Sequence, residues 1–103
     1  MSGAGDGLRL DKWLFHARLF RSRGLAAARI EAGGVRLNGQ PCRKPGRAIR
    51  PGDLLVLSAQ GSIRRLRVAA LGARRGPFSE ARTLYHDLDA AAESVADPAA
   101  DRS

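Results

Sequence analysis

Residues 9–39 read RLDKWLFHARLFRSRGLAAARIEAGGVRLNG, and this stretch decides the fold. Leu10, Trp13, Leu14 and Ala17 recur at i, i+3, i+4 and i+7, the spacing of one apolar helix face. A helix is therefore predicted from Arg9 to Ala17 or Arg18, with Asp11 in its first turn, where a carboxylate interacts favourably with the helix dipole or pairs with an arginine. Arg9, Lys12 and His16 fall at i, i+3 and i+7 on a different face, and His16 is read as a solvated polar residue. A helix that buries Trp13 and aims cations at solvent requires an anionic partner, for which phosphate is the obvious choice.

Leu19 to Arg21 link this helix to a second one. Ser22 is a good N-cap, and the four alanines between Ala26 and Ala32 favour helix until Gly33-Gly34 stops it. Ala26, Ile30 and Gly33 form a small-residue face suited to close approach of the first helix, while Glu31 points away. Val35, Arg36 and Leu37 then alternate in, out, in, and Asn38-Gly39 is a type I′ hairpin signal. A two-residue loop pairs Leu37 with Gln40 and Val35 with Cys42, which makes Cys42 a small hydrophobe on the core face. Pro41 lacks an N–H and places that strand at an edge.

Farther along, Arg43 to Arg47 form a basic loop, and Pro51-Gly52 turns the chain into a strand from Asp53 to Leu57. After a turn at 58–62, Ile63 to Leu71 reads as a strand with Leu66 and Val68 inward and Arg65 and Arg67 outward, a second basic surface. Arg74-Arg75-Gly76-Pro77 closes it. Ser79 is expected to cap a last helix in which Leu84, Leu88, Ala91 and Val95 share a face and which Pro98 ends. Gly3, Gly5 and Gly7 neither follow a strand nor lead to GK[ST], so residues 1–7 are read as a flexible terminus. The expected organisation is thus a domain over 8–72, an extension with a helix over 73–96, and a disordered acidic tail over 97–103. The fold class is α+β, with two N-terminal helices packed on a small, mostly antiparallel sheet and a C-terminal helix.

Charge narrows the function. The 103 residues carry a formal net charge of +8. From Leu8 to Arg50 eleven Arg or Lys stand against Asp11 and Glu31, whereas from Thr83 to Ser103 only Arg102 opposes five acids. The cations therefore belong to the folded part. They alternate with strand and turn signals instead of forming one long basic amphipathic helix, which argues against a membrane surface. One cysteine, no signal-peptide pattern and no run of roughly 20 apolar residues point to the cytoplasm. GxxxxGK[ST], CxxC, HExxH and GxSxG are all missing, and neither His16 nor His86 has a carboxylate or cysteine at ligand spacing. The expectation is a monomer without catalytic activity, cofactor or metal.

Arg9-Leu10-Asp11-Lys12-Trp13-Leu14, Ser22-Arg23 opening a second helix, and Ile30 with Gly34-Val35-Arg36-Leu37-Asn38-Gly39 resemble the RNA-binding domain first described in ribosomal small-subunit protein four, the S-four domain. Lys44-Pro45, Pro51-Gly52-Asp53, Pro77, Ser79-Glu80-Ala81 and Leu84-Tyr85 extend the resemblance to the heat-shock protein fifteen family. That resemblance implies a small RNA-binding protein acting on ribosomal RNA, in that family on free large ribosomal subunits that still carry a blocked nascent chain. It places the RNA-facing positions at Arg9, Lys12, Ser22, Arg23, Arg29, Arg36, Asn38 and Gly39, with Lys44 and Arg47 as additions. Phe15 and Arg21 complete the candidate set. Ser22 and Arg23 open a helix, where free N–H groups and the helix dipole favour a phosphate oxygen. Sixteen of the eighteen basic residues are Arg, whose planar fork binds phosphate bidentately or stacks on a base. Family members commonly continue into a longer basic extension, whereas this chain turns acidic after Tyr85. Two alternatives remain open at this level: an RNA-targeting module working in trans with an RNA-modifying enzyme, and a DNA-associated protein using the same phosphate attraction.

Overall fold

A computed structural model describes residues 7–59 and 61–88. Helices α1 (Leu10–His16) and α2 (Arg23–Glu31) pack on one face of a five-stranded antiparallel sheet. Its strands are β2 (Val35–Leu37), β3 (Gln40–Pro41), β5 (Leu54–Ala59), β6 (Ser62–Val68) and β7 (Tyr85–Asp87), in the spatial order β3-β2-β5-β6-β7. A separate two-stranded pair joins β1 (Leu8–Arg9) to β4 (Ala48–Ile49), with Leu8 opposite Ile49. The α+β expectation holds.

The apolar face of α1 is the centre of the core. Leu10, Trp13 and Leu14 have no exposed surface, and Ala17 has 2 %. The Trp13 indole Nε1–H donates to the Ala70 carbonyl at 2.8 Å, so the ring buries its apolar body without stranding its one donor. Tyr85 meets that ring edge-on at 6.4 Å. Helix α2 starts as its sequence directs: Ser22 is extended (φ −147°) and its Oγ accepts the Leu25 N–H at 3.1 Å. At the other end a Cβ on Gly34 would fall 2.1 Å from Arg29 Cδ and 3.0 Å from the Ser58 carbonyl, so the Arg29 stem can lie across the backbone only because this residue is glycine.

The hairpin has the predicted register, with Leu37 opposite Gln40 and the Cys42 N–H donating to the Val35 carbonyl at 3.0 Å. Asn38 (φ 51°) and Gly39 (φ 87°) both take the left-handed conformation a type I′ turn needs. Cys42 is buried, and β3 with its Pro41 lies at the sheet edge. Cross-strand pairing sorts the sheet into two faces. Toward the helices lie the rows Val35–Leu57–Arg64 and Leu37–Leu55–Leu66–Asp87; away from them lie Arg36–Val56–Arg65 and Leu54–Arg67–His86. The outward aim of Arg65 and Arg67 follows the expected period of two.

Three expectations are corrected. The last helix is short: α3 (Phe78–Ala81) begins after Pro77, not at a Ser79 cap, and a 3-10 turn (Arg82–Leu84) carries the chain into β7. Leu84 enters the core as an anchor, and its carbonyl accepts the Ala69 and Ala70 N–H groups at 2.8 and 3.1 Å. Those bonds set Tyr85–Asp87 beside β6, with whose edge this segment pairs in antiparallel register. Ala91, Val95, Pro98, the acidic tail and residues 1–6 lie outside the described residues. Strand β6 also ends at Val68 instead of Leu71. Finally, His16 is not solvated: it is 4 % exposed, with Nδ1 3.4 Å from the Leu71 carbonyl, because the segment after β6 folds back over the end of α1.

Candidate nucleic-acid interface

Asp11 is the hub of the basic face. Its carboxylate lies in the first turn of α1 and is 3 % exposed as a residue. Arg9 donates to it through Nε and Nη2, both at 3.1 Å, one bond to each oxygen. Arg23, from the start of α2, places Nε 3.7 Å from Oδ2. The two arginine side chains remain 52 % and 46 % exposed, so the edges that Asp11 does not use face solvent. Burial pushes the Asp11 carboxyl up, but the Arg9 hydrogen bond, the Arg9 and Arg23 charges and the Lys12 backbone N–H outweigh it and hold it below the usual carboxylate range. The hydrogen bond to Asp11 likewise raises Arg9.

The two helix starts are built differently. At α1 the Leu10 N–H donates to the Arg47 carbonyl at 2.9 Å and the Asp11 N–H to the Pro45 carbonyl at 3.1 Å, which ties the basic loop 43–47 to Arg9. Gly46 lies against the Arg9 guanidinium, where a Cβ would be 3.5 Å from Cζ. The loop that carries exposed Lys44 and Arg47 is therefore held against Arg9 and the start of α1, although these residues are more than thirty positions away from Arg9 in sequence. At α2 the Ser22 hydroxyl takes one N–H, and the helix dipole points at the Arg21–Arg23 segment. Lys12, half-buried, belongs to α1 between these two starts in sequence.

Other predicted positions lie elsewhere. Arg36 is on the outward sheet face, and its Nη1 donates to the Gly39 carbonyl at 3.2 Å. Asn38 spends its amide on the fold: Oδ1 accepts the Leu54 N–H at 2.9 Å and Nδ2 donates to Asp53 Oδ1 at 3.2 Å. Arg29 is half-buried along Gly34. Phe15 carries the Arg75 guanidinium 4.8 Å above its ring, so a protein cation takes the place over one ring face. Arg43 was not singled out by sequence, yet its guanidinium packs on Gly33, where a Cβ would be 3.0 Å from Nη2. The signal that locates it is the φ of 90° at Gly33 after α2, a backbone that leaves room for a cation at the helix C-terminus. Among the described residues no cluster of three His, Cys, Asp or Glu could hold a metal ion, and no helix is long and apolar enough to cross a membrane.

The S4 domain family model matches residues 8–55, the segment that contains Arg9, Asp11, Arg23 and the 43–47 loop. A heat shock protein 15 homolog of Aeromonas salmonicida is 37 % identical over 90 residues, covering 87 % of this chain and 67 % of that protein. The chain belongs to the heat shock protein 15 family. Heat shock protein 15 of Escherichia coli K12 is 41 % identical over 88 residues, covering 85 % of this chain and 63 % of that protein. The chain thus spans about two thirds of the length of these curated relatives. The solved heat shock protein 15 of Vibrio cholerae, described as trimeric, superimposes with a TM-score of 0.78 at 28 % identity, covering 95 % of this chain and 98 % of that one. With its S4 domain, the chain is an RNA-binding protein of that family.

Proposed function

We propose that this heat shock protein 15 family member binds structured ribosomal RNA through the face organised by Asp11, and that its partner is the large ribosomal subunit during stress or the rescue of stalled nascent-chain complexes. The observation that carries this reading is the buried Asp11 carboxylate holding Arg9 and Arg23. A carboxylate at the heart of a phosphate-binding face is unfavourable unless it aims the cations around it, and here it fixes two guanidinium groups with outward edges free for phosphate. Lys12, Arg21, Ser22, Arg29, Lys44 and Arg47 extend the surface, whereas Arg36 belongs to the other sheet face and contributes at most a secondary contact there. The role is binding without chemistry, in the cytoplasm. As to subunit number, the sequence favours a monomer and the trimeric Vibrio relative the opposite.

The test is co-sedimentation from lysate on a sucrose gradient. The protein should travel with large subunits, leave them after ribonuclease treatment, and prefer ribosomal RNA over duplex DNA in competition, because A-form shape and the 2′-OH separate the two. Equal competition by DNA would overturn the RNA reading. Association with small subunits alone would overturn the large-subunit reading.

A further inference from the structure

We propose that the groove between the α1–α2 link and the sheet is a receptor for one unstacked base of the bound RNA. This inference rests on the RNA-binding reading above and adds a second, apolar mode of contact to it. In the row Val35–Leu57–Arg64 the sheet face that elsewhere meets the helices runs out from under them. Helix α1 has ended at His16, and Leu19, Phe20 and Arg21 cross above the sheet before α2 begins. The result is an open groove of about 530 Å³ floored by Leu57 and walled by Leu19, Phe20 and Leu25. Leu25 is 53 % exposed and Leu19 and Phe20 are half-buried, so the groove presents apolar surface to water.

Its rim is cationic. Arg21 and Arg64 line it together with Ser62, and among the described residues no carboxylate does. Arg64 is pinned at the rim by its ion pair with Asp87 across β6 and β7 and is still 44 % exposed. Arg21 directly precedes Ser22 and Arg23, so the groove continues the basic face. An unstacked base has apolar faces, a hydrogen-bonding edge and a phosphate on each side, which matches apolar walls, guanidinium donors and a cationic rim. The volume is within the usual range for small-molecule pockets, about 300–1,000 Å³, and so leaves room for a single base. A second copy of the chain, itself at +8, would bring like charge to that rim.

The experiment uses an RNA hairpin with one bulged adenosine, the same hairpin with an abasic bulge, and anisotropy at fixed salt. The full chain should bind the base-bulged hairpin about fivefold or more tightly than the abasic one, the scale of one base stacked on a protein side chain. The Leu25→Ser variant changes no charge and alters an exposed position. It should lose that preference while keeping the salt slope and its affinity for the abasic hairpin. Equal wild-type affinity for the two hairpins overturns the base receptor while leaving the basic face standing. So does a Leu25→Ser loss that is the same for both. A change of sedimentation coefficient in Leu25→Ser with the preference intact assigns the groove to a second copy and also overturns it. Failure of the wild type to bind either hairpin overturns this inference together with the RNA reading.

Discussion

Arg9 and Arg23 on the helix side and Arg36, Arg65 and Arg67 on the opposite sheet face carry the same kind of charge, yet they are held in different ways. In the first pair Arg9 hydrogen-bonds to a carboxylate that is 3 % exposed, and Arg23 is ion-paired with the same group at 3.7 Å. Arg36 and Arg67 instead donate to the Gly39 and Gly52 carbonyls in exposed surroundings, at 3.2 and 2.9 Å. A charge-assisted bond to a buried acceptor restrains a guanidinium far more than a solvated bond to a loop carbonyl. Arginine side chains lose substantial rotamer entropy on ordering, so the pair already restrained by Asp11 loses less when it meets phosphate. Charge counting ranks the two faces alike; preorganisation does not.

The largest expected effect comes from changing Arg9, Lys12 and Arg23 together to Ala. RNA affinity should fall about a hundredfold at low salt, and the slope of log affinity against log salt should shrink by about two to three if each residue meets a phosphate. Changing Arg36, Arg65 and Arg67 together should cost less than about tenfold. The reverse order would move the RNA surface to the sheet. The first triple also strands the buried Asp11 carboxylate, a destabilising change, so thermal melts belong beside the binding curves. Adding Asp11→Asn to the triple should recover the melt without restoring affinity.

Asp11→Asn alone separates charge from positioning. It makes the chain more positive, and on charge alone it should tighten binding. If Asp11 positions Arg9 and Arg23, binding should instead weaken about three- to tenfold, on the scale of one net hydrogen bond. Salt-dependent anisotropy reads the sign directly.

The pH dependence is smaller and its sign is fixed. Asp11 is held below the usual carboxylate range in the fold, so the unfolded chain binds the proton more readily, and stability rises with pH between the two values. The Asp11 contribution should be complete above the unfolded value of about 4 and disappear as pH falls through the lowered folded value. Urea midpoints of wild type and Asp11→Asn should therefore differ at pH 6 and converge toward pH 2. A constant difference would show that the carboxylate charge is not what stabilises. The smallest effect expected is from truncation after Leu88, which removes Asp89, Glu93, Asp97 and Asp101 with only Arg102 in exchange. Affinity should stay within about twofold of wild type, on the tighter side, because removing exposed acids leaves the chain more positive while salt screens most of that gain.

Much of the fold was legible in local pattern. Helix α1 shows its apolar stripe, Ser22 its cap, and Asn38-Gly39 the turn whose two left-handed residues fix the β2–β3 register. The burial of Trp13 followed from the same stripe. The C-terminal part was not legible in that way. Leu84 and Leu88 have helical spacing, but Leu84 serves as an anchor between a 3-10 turn and β7, and periodicity cannot see the open β6 edge that draws Tyr85–Asp87 into the sheet. The candidate site divides along the same line. Arg9, Lys12 and Arg23 could be nominated from sequence, whereas Arg43 against Gly33 and the Arg75 cation over Phe15 come from segments distant along the chain.

By itself the sequence determined the two helices, the hairpin, the two-faced strand β6 and a cationic body, because these depend on side-chain periodicity, backbone sterics and summed charge within short windows. Only the tertiary structure decided that Asp11 and His16 are buried, that the 43–47 loop caps α1, and that the sheet face beyond Leu57 is left uncovered. The physical reason is common to all three. A polar group can be buried, or an apolar one left in water, only according to what a remote segment brings against it, and such partners lie outside any local window.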